Sequence, residues 1–313
     1  MKNFLLIGAA GYVAPRHMKA IKDTGNQLVA ALDKCDSVGI IDSYFPKADF
    51  FTEFERFDRH VEKLKRQGIK IDYLSVASPN YLHDAHIRFG LRHGADVICE
   101  KPLVLNPWNA DALQEIEHET GKKVNTILQL RLHDSVIALK EKIKFYPAYH
   151  IFDVEVTYIT GRGSWYHNSW KGDISKSGGI ATNIGVHFFD LLIDLFGDVE
   201  ENVVHLQEKN HAAGFILFNK ARVRWFLSID EKMIPKETQI AGNRTYRDIV
   251  VDGESVELSE GFSDLHTKSY EEILQGNGFS ISEARKAVVI THDIRNAEIQ
   301  FNKGEKHPLI TNH

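Results

Sequence analysis

The sequence predicts an α/β Rossmann-type parallel sheet domain followed by an α+β domain with an open, mainly antiparallel sheet. Three observations carry this: an apolar run that ends in a glycine turn, strand–helix alternation as far as about residue 130, and mostly β-rich segments after about residue 150. The expected division is residues 1–130 and 131–313. A chain of 313 residues exceeds what one core usually supports, roughly 250 to 300 residues.

In order, Phe4-Leu5-Leu6-Ile7 reads as a first strand stopped by Gly8, and Pro15 to Thr24 as a helix. Gln27 to Leu32 closes a βαβ unit at Asp33. Ile71 to Val76, Asp96 to Cys99 and Lys123 to Leu130 read as further strands, with helices at Tyr81 to His93 and Asn109 to Thr120. Beyond residue 150, strands are expected at Ile151 to Ile159, Val203 to Gln207, Gly214 to Phe218, Ala221 to Ile229 and Ile249 to Leu258. Helices are expected at Gly179 to Phe196, His266 to Leu274 and Ile281 to Ala297.

Composition narrows the function. Hydrophobic residues at 43% and charged residues at 26% are those of a globular protein, and no apolar run reaches the roughly 18 to 20 residues of a membrane span. The apolar N-terminal stretch is short and enters a glycine turn, so it reads as a strand and not as a signal peptide. Cys35 and Cys99 form no disulfide pattern, which fits a reducing, cytoplasmic location. A net charge of -5 argues against affinity for nucleic acid. The expected partner is a small molecule.

The turn Gly8-Ala9-Ala10-Gly11-Tyr12-Val13 is a variant dinucleotide fingerprint with alanine at the usual second glycine. Its small residues let the backbone approach a pyrophosphate at the positive end of the next helix. Asp33 follows roughly twenty residues on, where a carboxylate accepts from ribose hydroxyls and repels a 2′-phosphate. That favours NAD over NADP. Asp33 could also be a plain strand-end carboxylate, and Lys34 beside it moderates the preference. Ser78-Pro79-Asn80 with His83, and Glu100-Lys101-Pro102, follow later strands at the end where open α/β sheets bind ligands. His83 and His86 stand three apart but have no further ligands nearby in sequence, so no metal is expected.

These segments, with Gly178-Gly179 through Asn183, Gly185, His187 and Asp190, resemble the glucose-fructose oxidoreductase, inositol dehydrogenase and MocA family. Gly8 to Met18, the insertion Asp36 to Phe51, Gln129 to His133 and Gly161 to Lys171 are similar to its branch of UDP-2-acetamido-2-deoxyglucuronate 3-dehydrogenases. The resemblance implies NAD-dependent oxidation of the C3 hydroxyl of a UDP-linked N-acetylamino sugar acid, in O-antigen and other surface-polysaccharide synthesis. It implies Lys101, His187 and Asn183 as catalytic residues, with either Lys101 or His187 as the base. Cofactor contacts are expected from Gly8, Ala10, Gly11, Tyr12, Val13, Asp33, Lys34, Ser78, Asn80, His83, Glu100, Lys101 and Gln129. Substrate contacts are expected from Lys101, Arg131, Trp165, His167, Asn168, Asn183 and His187.

Arg131 is a candidate for the sugar carboxylate, because a guanidinium pairs bidentately with one; it could equally be structural. The 165–171 loop could instead make subunit contacts, and the 263–278 segment resembles a diphosphate or uridine element. Asp190 could orient His187. The resemblance further implies a homodimer or homotetramer and leaves room for a 2-oxo acid that reoxidises NADH in place. Two other readings are a dehydrogenase of a free polyol or hexose and a catalytically silent sensor of NAD or a sugar nucleotide.

Overall fold

The computed structural model describes residues 1–256 and 264–310. The chain forms two compact units, one of residues 1–129 and 264–285, the other of residues 130–256 and 286–310.

The first unit is built on six parallel strands, β1 (Asn3–Ile7), β2 (Gln27–Leu32), β3 (Asp49–Phe51), β4 (Tyr73–Val76), β5 (Asp96–Cys99) and β6 (Val124–Thr126), in the order β3-β2-β1-β4-β5-β6. Phe4, Leu5 and Leu6 are fully buried, as expected of a central strand covered on both faces. The order reverses beside β1, between β2 and β4, the position at which open α/β sheets bind ligands at their carboxyl ends. The sequence reading lacks β3, a three-residue edge strand, and the helix Phe54–Arg66, whose Phe57, Val61 and Leu64 make one buried stripe.

The expected strand Lys123 to Leu130 is shorter, and Gln129–Leu132 is a 3₁₀ turn. Ile127, Leu128 and Leu130 are buried in irregular backbone, and burial alone does not dictate extended structure.

Residues 264–285, which the sequence reading places in the second domain, pack with the first unit. The helix Leu265–Leu274 lies against the helix Ala14–Asp23, Tyr270 and Ile273 join the first core, and Thr126 bridges Phe279. Ser263 lies outside the described residues.

The second unit has β7 (Phe152–Thr160), β8 (Val199–Gln207), β9 (His211–Phe218), β10 (Ala221–Ser228), β11 (Thr245–Val251) and β12 (Glu254–Ser255), in the order β12-β11-β7-β10-β9-β8. β7 and β10 are parallel and the other pairs antiparallel. Where one strand Ile249 to Leu258 is expected, Asp252-Gly253 turns the chain into a hairpin, with φ of 49° and 81°. Glu257 and Leu258 lie outside the described residues. The stretch Ile174–Phe196 is long and apolar enough to cross a membrane, but 83% of its apolar window is buried inside the protein, as in a core helix. Its helix Val186–Phe196 packs Phe188, Phe189, Leu192 and Phe196 into the core of this unit.

Candidate active site

Past the carboxyl ends of β1, β2, β4, β5 and β6 stand Gly8, Asp33, Ser78, Lys101 and Gln129 in turn. Gly8 has φ of 94°, and a Cβ there would come 2.5 Å from the Ala77 carbonyl and 2.6 Å from the Ser78 nitrogen. Only glycine fits, and the absent side chain leaves a cradle of bare backbone. Asp33 braces that cradle: one oxygen accepts from the Ala10 N–H at 3.0 Å and the other from the Cys35 N–H at 2.9 Å. Each oxygen keeps a lone pair for a ribose hydroxyl. Tyr12 is 85% exposed, with the Arg16 guanidinium above its ring. Gln129 buries an amide oxygen that has no hydrogen-bond partner among the described residues. An orphaned acceptor and a bare-backbone cradle at one sheet edge fit a bound dinucleotide.

Two residues expected at the cofactor are buried and hydrogen-bonded within the protein. His83 is 1% exposed, and its nitrogens lie 2.7 Å from the Pro102 carbonyl and 2.8 Å from the Ser78 carbonyl. It ties one loop to the other. Glu100 is 5% exposed. Its Oε1 accepts from His17 Nε2 at 3.1 Å and His266 Nε2 at 2.8 Å, and its Oε2 from the Lys101 backbone N–H at 3.2 Å. Asn80 is also buried. The Ser78 hydroxyl shares a hydrogen bond of 2.8 Å with His86 Nδ1. Burial, with His83 close by, pushes the His86 imidazole down to about 4.

The Glu100 cluster continues inward. Burial lowers the His17 pKa despite the hydrogen bond it donates to Glu100, so His17 is neutral, with its one proton on Nε2. Its Nδ1 then accepts from the Tyr270 hydroxyl at 2.8 Å, which accepts in turn from Ser75 at 2.6 Å. Burial pushes the Glu100 carboxyl up, but the hydrogen bonds from His17 and His266 outweigh it and hold its pKa well below the ordinary value. His17, Glu100 and His266 also have the composition of a metal site, their ligand atoms within 4.8 Å of one another. Those atoms are bonded to each other, and the anchored backbone is that of Lys101. The sequence reading missed this cluster, because its members lie up to 249 residues apart in a 313-residue chain. His266 and Tyr270, in the segment expected to serve a diphosphate or uridine, are 4% and 0% exposed.

Lys101 precedes Pro102 through a cis peptide bond and is partly exposed. In the second unit, every residue from Ile180 to Ile193 is buried except His187. Asn183 sits in a π-turn, Ala181–Gly185, a distortion found mostly at functional sites. Its amide donates to the Tyr166 hydroxyl at 2.8 Å. Gly185 makes the turn possible, since a Cβ there would come 2.5 Å from Leu227 and 2.9 Å from Phe189. Trp165 and Asn168 are exposed and His167 is partly so.

Arg131 is likewise bonded within the protein. Its Nε and Nη2 donate to the two oxygens of Asp190 at 2.9 and 2.6 Å, with Nη1 3.6 Å from Asp194. The pair is almost wholly buried, at 8% and 2% exposure. The fork that would read a sugar carboxylate is already holding a protein carboxylate. Asp190, expected to orient His187, holds Arg131 through both oxygens.

The parallel sheet, with its glycine cradle and Asp33 at the end of β2, has the form of a dinucleotide-binding domain. Residues 2–127 match the model described as an oxidoreductase family with an NAD-binding Rossmann fold, and residues 150–227 match its C-terminal alpha/beta domain. The chain belongs to the glucose-fructose oxidoreductase, inositol dehydrogenase and MocA family.

It is 50% identical to the WlbA (WbpB) dehydrogenase of Thermus thermophilus solved with NAD and alpha-ketoglutarate, covering 99% of this chain and 100% of that one with a TM-score of 0.95. A second structure of that enzyme, with NAD and UDP-GlcNAcA, matches at 49% identity, the same coverage and a TM-score of 0.95. The glucose-6-phosphate 3-dehydrogenase of Bacillus subtilis is 24% identical over 63% of this chain and 54% of its own length. The chain thus spans about half the length of the curated relatives it matches.

Proposed function

We propose that this protein oxidises the C3 hydroxyl of a UDP-linked N-acetylamino sugar acid, UDP-2-acetamido-2-deoxyglucuronate, with NAD. One observation carries the reading: near-half identity over both whole chains to a dehydrogenase solved with NAD and UDP-GlcNAcA. Bound NAD supplies the acceptor for the hydride leaving C3. The chain's own residues do the rest. The Gly8–Val13 turn, Asp33 and Gln129 hold the dinucleotide. The Lys101 ammonium stabilises negative charge on the C3 oxygen as the hydroxyl proton leaves for His187. Asn183, set by Tyr166, orients the sugar. The bonds broken are C3–H and O–H, and the bond formed is the carbonyl of the 3-keto sugar.

The setting we propose is cytoplasmic synthesis of surface-polysaccharide precursors such as O-antigen sugars, by a homodimer or homotetramer in which a 2-oxo acid can reoxidise NADH. The test mixes enzyme and NAD with UDP-2-acetamido-2-deoxyglucuronate, UDP-N-acetylglucosamine, glucose or inositol, and follows NADH and product mass. The reading expects turnover on the UDP-sugar acid alone or by a wide margin. Comparable turnover on glucose or inositol would replace it with a free-sugar dehydrogenase. Stoichiometric NAD binding without turnover on any of them would make the protein a sensor.

A further inference from the structure

We propose that the second unit carries an anion-binding site, in the cavity walled by Lys171, the Gly178-Gly179 turn, Gln207 and Arg295, that grips a phosphate or carboxylate of the substrate. The cavity measures about 90 Å³, room for several waters and so for one oxyanion. Lys171, Lys209 and Arg295 line it against one carboxylate, that of Glu208.

Lys171 gives the clearest indication. It is partly buried, and no carboxylate lies within ion-pair distance of it among the described residues. Its ammonium faces aromatic rings instead, 4.3 Å from the centre of Trp170 and 6.0 Å from that of Trp165. Burial first, and then the Arg162 charge, lower its pKa. A desolvated cation without a counter-ion is costly, and an entering anion would supply the missing partner. Burial lowers Arg295 in the same way. The wall between them is open backbone: Gly178 and Gly179 have φ of 80° and 77°, and nothing lies within 4 Å of where a Gly179 side chain would begin.

The position fits a substrate group. Gln207 ends β8 at the same end of the sheet where β7 and β10 finish, and Tyr166, which lines the cavity, is the partner of Asn183. The anion's identity as part of a sugar nucleotide rests on the proposed function; the site itself does not. A diphosphate and the carboxylate of a 2-oxo acid share the chemistry, and separate titrations with UDP and 2-oxoglutarate distinguish them.

The test is calorimetric titration of NAD-saturated enzyme with UDP, uridine and 2-oxoglutarate, for wild type, Lys171→Met and Lys171→Arg. Met keeps the contact with the rings and removes the charge. UDP binding should weaken about tenfold or more in Lys171→Met, as expected for losing a charged hydrogen bond. Uridine binding should hold within about twofold, and Lys171→Arg should retain most of the UDP affinity. Loss confined to 2-oxoglutarate keeps the site and assigns it to a carboxylate. Equal loss of UDP and uridine, or no loss of either anion, would overturn the proposal. Unchanged NAD affinity reports that each variant is folded. A wild type that makes no NADH from the UDP-sugar acid, yet loses anion affinity with Lys171, would overturn the reaction and leave the site standing.

Discussion

Arg131 shows how one residue can fit two roles in sequence and only one in space. An arginine past a strand end is suited to a substrate carboxylate, and the same bidentate geometry serves Asp190 equally well. The pair is buried, so removing one partner strands the other charge. Arg131→Ala should therefore destabilise the protein by about 3 to 5 kcal/mol. In urea unfolding the variant should show a much lower midpoint with the slope unchanged. An unshifted midpoint, with selective loss of affinity for the acidic sugar over its neutral counterpart, would restore the carboxylate-reading role. Lys101 and His187 differ from Arg131 in what surrounds them: each retains solvent exposure where its neighbours are buried. Motif context singles these two out in the sequence, since neither is distinguished by residue type alone.

At the scale of elements, the loops after β4 and β5 are held by buried imidazoles, and that has a pH signature. Burial lowers the pKa of His17, His83 and His86, the last to about 4. Their unfolded values lie near 6.5, so below that pH the unfolded chain binds more protons than the folded one. Stability from these groups is complete above about pH 6.5 and is lost as pH falls toward their folded values. For His86 alone the full loss is on the order of 3 kcal/mol. The urea midpoint should be flat from about pH 8 to 6.5 and decline below, and His86→Asn, which keeps an acceptor for Ser78, should decline less. A flat midpoint down to about pH 5 would show that these imidazoles are not buried neutral.

The elements also show what periodicity can and cannot convey. β1, β2 and β5 are legible because doubly covered parallel strands are unbroken apolar runs between turn residues. β3 is too short to register, and the helix Phe54–Arg66 was passed over although its stripe is clear. The Asp252-Gly253 hairpin was signalled by its own dipeptide and read through. The π-turn around Asn183 carries no local signature except the small residues Ala181 and Gly185, which the crowding by Leu227 and Phe189 explains only after folding.

For the whole molecule, the alternation of strands and helices gave way to a β-rich second half, and the two sheets follow that change. What the linear pattern missed is the return of the chain: residues 264–285 come back to the first unit, bringing His266 to Glu100 and Tyr270 to His17. Such long-range polar networks have no period and leave no mark in composition. The Glu100 cluster nonetheless bears on function, since it fixes the backbone of Lys101 from inside the core.

The central claim is hydride transfer from C3 of a UDP-sugar acid to NAD, and isotopic labelling tests it most directly. In a single turnover with UDP-2-acetamido-2-deoxyglucuronate deuterated at C3, the deuterium should appear in the NADH. The step should also slow relative to unlabelled substrate. The same experiment with Lys101→Ala or His187→Ala should run on the order of 10²-fold slower, with NAD affinity nearly unchanged. NADH free of deuterium from the C3-labelled sugar, or rates near wild type in either variant, would contradict the account.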